Sequence, residues 1–340
     1  MSTILSNRVQ KVKPSATMAV SDKAKELKSQ GIQIISMGSG EPDFDTPTNI
    51  QKAAIHAIGA GETRYTPADG TAELKKAVCE KFKRENGLDY SANEVMVSCG
   101  GKQVFYNLCQ AILNEGDEVI IPSPYWVSYP DMAILADATP IFIDAGLDQD
   151  FKISPEQLEA SITSKSKLLV LNSPSNPTGS VYSKSEIEAL GVVLERHPNV
   201  FIISDDIYEH IRWGGDEFVN IAMACPKLKD RTVILNGVSK AYAMTGWRIG
   251  YAAGPEAVIK AMKKIQGQST SNPSSISQAA ALEAITGDQS FIKMMVEAFE
   301  RRHEFLVESL NAIDGIECPR SGGAFYSFPR VQGLIERIGL

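Results

Sequence analysis

The sequence has little of what metal centres and disulfide frames are built from. Its five cysteines, Cys79, Cys99, Cys109, Cys225 and Cys318, include no pair with CxxC spacing. An odd number without paired spacing reads as free thiols in a reducing compartment. The four histidines, His56, His197, His210 and His303, are scattered and form no HExxH, so no metal site is expected. No apolar run nears the roughly 18 residues a membrane helix needs. The opening stretch MSTILSNRVQKVKPSATMAV lacks the compact apolar block of a secretory leader. The expectation is a cytoplasmic protein without a membrane partner. Basic residues are outnumbered, 34 Lys and Arg against 41 Asp and Glu, a net charge of −7. A general nucleic-acid binder is more often basic, so nucleic acid is not the expected partner. Nucleotide fingerprints are also missing. Gly38-Ser39-Gly40 lacks the third glycine of GxGxxG, and Gly100-Gly101 runs into Lys102 without the spacing of GxxxxGK[ST]. There is no internal repeat and no low-complexity stretch.

What is present is an ordinary globular composition, 340 residues with 43% hydrophobic, enough for one large core or two smaller ones. Seven short apolar runs punctuate it: Glu94–Ser98, Glu118–Pro122, Pro140–Asp144, Lys167–Asn172, Val200–Ser204, Thr232–Asn236 and Arg248–Ala252. Most are nearly continuous in Val, Ile and Leu, as strands buried on both faces are. Helix-length segments separate most of them, the pattern of βαβ units. Thr46-Pro47 reads as a helix start, a capping hydroxyl before Pro at the first helical position. Ser154–Gln157 and Ser183–Glu186 read as capping boxes. The expected fold class is therefore α/β, with a mainly parallel central sheet flanked by helices over residues 46–286. Residues 1–45 are read as an arm with a short amphipathic helix near Ser21–Ser29, contributing part of a small domain. Residues 287–340 hold a helix over Phe291–Ala312 and then SGGAFYSFP, the start of a second, smaller and incomplete domain.

Ligands of such sheets bind beyond the carboxyl ends of the strands, so the residues after each run carry the functional signal. Gly100-Gly101-Lys102 opens a helix, where free N–H groups and the helix dipole can hold a phosphate; the plain alternative is a tight-packing turn. Trp126 can stack on a planar ring, or simply fill a crossover. The turn Ser173–Gly179 is rigid, and Asn176 can aim an amide at a ligand oxygen or serve the turn alone. A buried strand-end carboxylate at Asp205 needs a partner, which a protonated ring nitrogen would provide. Tyr208 lies three residues on, and the alternative is a helix cap by Asp205 or Asp206. Lys240, after the Thr232–Asn236 run, faces the crevice, where desolvation and Arg248 would lower its pKa and free its amine for a carbonyl.

Seven motifs in order, GEPDFDTP (Gly40–Pro47), RYTPADG (Arg64–Gly70), GGKQ (Gly100–Gln103), PYWVSYP (Pro124–Pro130), NSPSNPTG (Asn172–Gly179), SDDIYEH (Ser204–His210) and NGVSKAYAMTGWRIG (Asn236–Gly250), resemble the class I and II aminotransferases. These are pyridoxal-phosphate enzymes of fold type I, and the resemblance is nearest to the bacterial aspartate and aspartate/prephenate branch. It implies a ping-pong transfer of an amino group from an L-amino acid, aspartate in the first instance, to a 2-oxo acid such as 2-oxoglutarate. The cofactor implied is pyridoxal 5'-phosphate. Lys240 would carry it as a Schiff base and shuttle the proton, Asp205 would keep its ring nitrogen protonated, and Tyr208 and Asn176 would hold its phenolic oxygen. Trp126 would stack on the ring. Gly100, Gly101, Lys102, Ser239 and Arg248 would bind the phosphate, and Tyr65 would reach the phosphate of a neighbouring subunit, which implies a homodimer with shared sites. Gly40, with Trp126 and Asn176, would line the substrate. Thr17 is a candidate for the distal carboxylate. The same cofactor residues would also serve a β-lyase or carbon–sulfur lyase, or a cofactor-holding chain without activity. One departure stands out: the family's α-carboxylate arginine sits in an RxSF-like strand, and neither Arg330 nor Arg337 lies in one. The expectation drawn from it is a C-terminally truncated chain that builds the cofactor site without that arginine.

Overall fold

All seven apolar runs are strands. The computed structural model describes residues 4–14, 16–38, 40–215 and 217–339. Its strands are β1 (Val95–Ser98), β2 (Glu118–Ser123), β3 (Thr139–Asp144), β4 (Ser166–Asn172), β5 (Phe201–Asp205), β6 (Thr232–Gly237) and β7 (Gly250–Ala253). They form one sheet in the order β1-β7-β6-β5-β4-β2-β3. β2 to β6 pair in parallel, whereas β7 runs antiparallel to both β6 and β1. Because β7 is reversed, its first residues lie at the same edge as the last residues of the other strands. The short connection from β6 to β7 therefore stays at that edge.

Alternation along the strands splits the core between two layers. Leu168 and Val170 of β4 pack with Val104, Phe105 and Leu108 of the helix Gly101–Ile112 and with Ile259 and Met262 of the helix Glu256–Ser269. Leu169 and Leu171 face the opposite layer, with Ile187, Leu190 and Leu194 of the helix Lys184–Arg196. At the β1 end that layer is continued by the helices Ala72–Asn86 and Ser275–Thr286. β3 departs from the doubly buried expectation: as an edge strand it leaves Thr139, Phe142 and Asp144 exposed.

Local signals have mixed outcomes. Ser154 and Ser183 both form capping boxes. Thr46 does not cap the helix Thr48–Gly59, whose N-cap position is Pro47 without a side-chain cap. Its hydroxyl is taken by tertiary partners, donating to the Ala243 carbonyl at 2.7 Å and accepting from Trp247 Nε1 at 3.0 Å. The arm helix is longer than expected, Ala16–Ser29. Helix Ser290–Asn311 joins the turn after β5 through Met295 and Phe299, which cluster with Tyr208, Ile211 and Ala324.

A buried polar knot fixes the turn after β5. Lys81, 1% exposed, ion-pairs with Glu209 and donates to Asn86 Oδ1 at 2.8 Å. Asn236 at the end of β6 donates to Glu209 Oε1 at 2.7 Å, and Asn86 donates to Oε2 at 3.0 Å. Burial opposes ionisation of Glu209, yet Lys81 and His210 hold it below the usual carboxylate range. Burial also opposes ionisation of Glu85, which His210 and Lys81 lower to about 2. Such lowered carboxylates stabilise the fold above the ordinary Glu value of 4.5, and Glu85 loses that contribution as pH falls toward 2. Lys81→Ala removes the buried ammonium that ion-pairs with Glu209, and the expected loss is about 3–5 kcal/mol in urea unfolding at neutral pH. A loss below about 1 kcal/mol would mean the knot reorganises around solvent.

Candidate active site

The register sets three neighbouring strand ends in a row, Asn172 beside Asp205 and Asp205 beside Leu235. Above them lies a cavity of about 610 Å³ lined by Gly40, Gly101, Lys102, Trp126, Asn176, Asp205, Tyr208, Ser239, Lys240 and Arg248, among others. Every site residue expected from the sequence lies here except Gly100, just behind the wall, and Tyr65. The Tyr65 side chain is 91% exposed and lies outside this cavity. The side chain of Thr17 lies outside the described residues.

One end of the cavity suits an anion. The helix Gly101–Ile112 begins here, capped by Gly100 at φ +89°. That backbone conformation favours glycine, and a Cβ on Gly100 would also push on the Arg248 guanidinium. Cys99 N–H donates to Gln103 Oε1 at 2.7 Å, which shapes the turn. Arg248 also has positive φ, +57°, rare for a residue with a side chain, and is braced by the Thr245 carbonyl at 2.9 Å. Lys102 lies with its ammonium 5.2 Å from the Trp126 ring centre. Burial and then Arg248 hold Lys102 below the ordinary lysine value. First-turn N–H groups, a serine, a lysine and an arginine together suit a phosphate dianion.

The other end presents a carboxylate. Asp205 is the last residue of β5 and 3% exposed. It caps no helix: Oδ2 accepts from Tyr129 Oη at 2.5 Å and Oδ1 accepts from the Ile207 N–H at 3.3 Å. Asp206 caps none either; it accepts from Ser204 Oγ at 2.7 Å and Asn220 Nδ2 at 2.6 Å. Burial pushes Asp205 up to about 6, with Tyr129, the Ile207 N–H and Lys240 working against it. Asn172 Nδ2 donates to the Asp205 carbonyl at 2.9 Å, and its Oδ1 accepts the Asn176 N–H at 2.8 Å. One amide thus ties the 173–179 turn to the carboxylate strand.

Lys240 lies in the β6–β7 connection, its Nζ donating to the Gly40 carbonyl at 2.5 Å. Burial lowers its pKa to about 8, with Arg248 adding to the effect and Glu41 and Asp205 opposing it. A lysine so lowered is a competent nucleophile toward a carbonyl. Tyr208 is 2% exposed and its hydroxyl lies 2.6 Å from that of Tyr326.

Sequence reasoning did not single out Tyr129, Asn172 or Tyr326. Tyr129 lies inside PYWVSYP and Tyr326 inside SGGAFYSFP, yet their partners are 76 and 118 residues away in the chain. The motifs gave no sign of those pairings. Among the described residues, Arg248 is the only arginine lining the cavity.

The residues present fit pyridoxal phosphate: an anion cradle at a helix start, a desolvated carboxylate that makes no ion pair among the described residues, and a lowered-pKa amine lining the same cavity. The profile of the family described as aminotransferase class I and II matches residues 32–336. An aspartate/prephenate aminotransferase of Nitrosomonas europaea is 58% identical over 334 residues, spanning 98% of this chain and 84% of the relative. The enzyme of the same description from Cereibacter sphaeroides is 56% identical, spanning 98% of this chain and 83% of its own. Among solved structures, an aspartate aminotransferase from Rhizobium meliloti superposes with a TM-score of 0.95 at 49% identity, over 97% of this chain and 83% of that one. The Thermus thermophilus aspartate aminotransferase with maleate gives 0.92 at 46% identity, over 96% and 85%.

Proposed function

The chain belongs to the class I and II aminotransferases, and from that premise we propose that it moves the amino group of an acidic L-amino acid, aspartate first, to 2-oxoglutarate, with pyridoxal 5'-phosphate held at the strand ends. The observation that carries the reading is the lining of one cavity, which brings the anion cradle of Gly101, Lys102, Ser239 and Arg248 together with the Asp205 carboxylate and Lys240. The names of the two relatives and the maleate bound to the Thermus enzyme, a dicarboxylate, support an acidic substrate.

Gly100, Gly101, Lys102, Ser239 and Arg248 hold the phosphate. Trp126 covers a ring face, and Asp205 pairs with the protonated ring nitrogen, gaining the cation its burial demands. Asn176 and Tyr208 hold the phenolic oxygen. When bound, the cofactor supplies the electron sink that cleavage at the amino acid's α-carbon requires. Lys240 supplies the attaching amine and then carries the proton. Gly40 offers its backbone to the substrate carboxylate. Tyr65, exposed on its own subunit, serves the site of a second copy, so the working form is a dimer with shared sites.

The test is spectroscopic. Pyridoxal phosphate added to the purified chain gives a visible band, L-aspartate converts it to the pyridoxamine form, and 2-oxoglutarate restores it. A band indifferent to every amino acid offered would refute the transferase reading for this chain, and release of pyruvate and ammonia would replace it with β-elimination. Sedimentation of the loaded chain at a single 36.9 kDa mass would remove the shared site.

A further inference from the structure

Tyr326 enters the cavity from the 287–340 segment, held there by backbone pins. The Ala324 N–H donates to the Ile211 carbonyl at 2.8 Å, and the Gly323 N–H to the Gly179 carbonyl at 3.1 Å. Trp213 donates through its backbone to Gly322 and through Nε1 to the Ser321 carbonyl. Phe325 packs edge-on against Tyr208, with ring centres 5.6 Å apart. So held, the Tyr326 hydroxyl lies 2.6 Å from that of Tyr208, and 2.7 Å from where a Cβ on Gly40 would stand.

Each phenol has one proton to give and two lone pairs. If Tyr208 donates to Tyr326, its only proton is spent there. If Tyr326 donates to Tyr208, the Tyr208 proton is free for a third oxygen, and the two O–H groups polarise each other in series. An anionic oxygen arriving beside Tyr208 is the strongest acceptor available and selects the second arrangement. Burial pushes Tyr326 up to about 12, against the Tyr208 hydroxyl, which lowers it, so Tyr326 keeps its proton at neutral pH and has one to give when the pair turns. We infer that Tyr326 is a positioning residue for the transfer reaction, its hydroxyl turning the Tyr208 O–H toward the cofactor's phenolic oxygen. This rests on the cofactor reading above. The titratable groups facing the pair around the cavity are Asp205, Lys240, Glu41, Lys102, Arg248, Tyr125 and Tyr129, and all of them are unchanged in the test.

The test is the pH titration of the visible band of the lysine-bound cofactor in four holoenzymes: the parent, Tyr208→Phe, Tyr326→Phe and the double variant. A hydrogen bond donated by Tyr208 stabilises the anionic oxygen when the linkage loses its proton, so losing or weakening that bond raises the midpoint. Tyr326→Phe, which removes only a hydroxyl, is expected to raise it by about 0.4–1 unit. Tyr208→Phe raises it at least as far, and Tyr326→Phe adds nothing in the Tyr208→Phe background. If Tyr208→Phe shifts the midpoint and Tyr326→Phe does not, the inference falls while the cofactor reading stands. Equal shifts from Tyr326→Phe in both backgrounds mean it does not act through Tyr208, and the inference falls again. If Tyr208→Phe leaves the midpoint unmoved, Tyr208 does not hold the phenolic oxygen and the inference falls with that contact, while the band itself still supports the cofactor.

Discussion

Lys240→Ala is expected to lose about 10⁴-fold or more of the aminotransferase rate, because in the proposed mechanism one side chain is both the attaching amine and the proton carrier. The geometry makes the residue hard to replace. Its Nζ is fixed by the Gly40 carbonyl at 2.5 Å and lies 5.9 Å from the ring centres of Tyr208 and Phe325. No other lysine but Lys102 lines the cavity among the described residues, and Lys102 belongs to the anion end. The check is borohydride reduction followed by intact mass: the parent retains the reduced cofactor covalently and the variant does not. Retention in the variant would overturn the assignment. A pH signature accompanies it. With its pKa lowered to about 8 from 10.5, the amine is uncharged in about one molecule in ten at pH 7. The rate of cofactor attachment therefore rises with pH and flattens above about 8, whereas an ordinary lysine would keep climbing past 10.

Asp205→Asn is the second large effect. The amide keeps the shape and removes the charge, so on the proposed reading the ring nitrogen would lose the anion that keeps it protonated. The half-reaction with L-aspartate is expected to slow by about 10²–10⁴-fold while cofactor binding stays measurable. An unchanged half-reaction would reduce Asp205 to a structural strand end. Stability moves the other way. In the empty protein Asp205 is raised to about 6 by burial, so its favourable contribution belongs to the protonated form and is lost as pH rises through 6. Above that pH the variant is at least as stable as the parent in the absence of cofactor, a site held at a cost to the fold.

The fold was legible where the signal was local. Each of the seven apolar runs became a strand within a residue or two; most are nearly continuous in Val, Ile and Leu, which suits strands buried on both faces, whereas the edge strand β3 formed with one side open. The serine capping boxes held because donor and acceptor lie three residues apart. Thr46 failed as a cap because Ala243 and Trp247, about 200 residues on, compete for its hydroxyl. The strand-end polar residues could be read from the sheet rule alone, which is why Asp205, Lys240 and Asn176 meet in one cavity. Tyr129 and Asn172, which orient Asp205, could not: an aromatic in a helix and an amide at a strand end have the same sequence appearance whether they hold a carboxylate or fill space.

The cavity wall is drawn from the ends of β4, β5 and β6 and the segments that follow them, from the segments that follow β1 and β2, from the residues just before β7, and from residues 37, 38, 40, 41, 325 and 326. No contiguous stretch contains it, so a chain with its sheet disassembled has nothing for the cofactor to bind. Occupancy and folding are then one equilibrium governed by mass action. Free cofactor at a hundred times its dissociation constant adds about 2.7 kcal/mol to the unfolding free energy of the whole chain. On the proposed reading, the supply of cofactor then helps to set how much of the chain stays folded, as well as how fast it turns over.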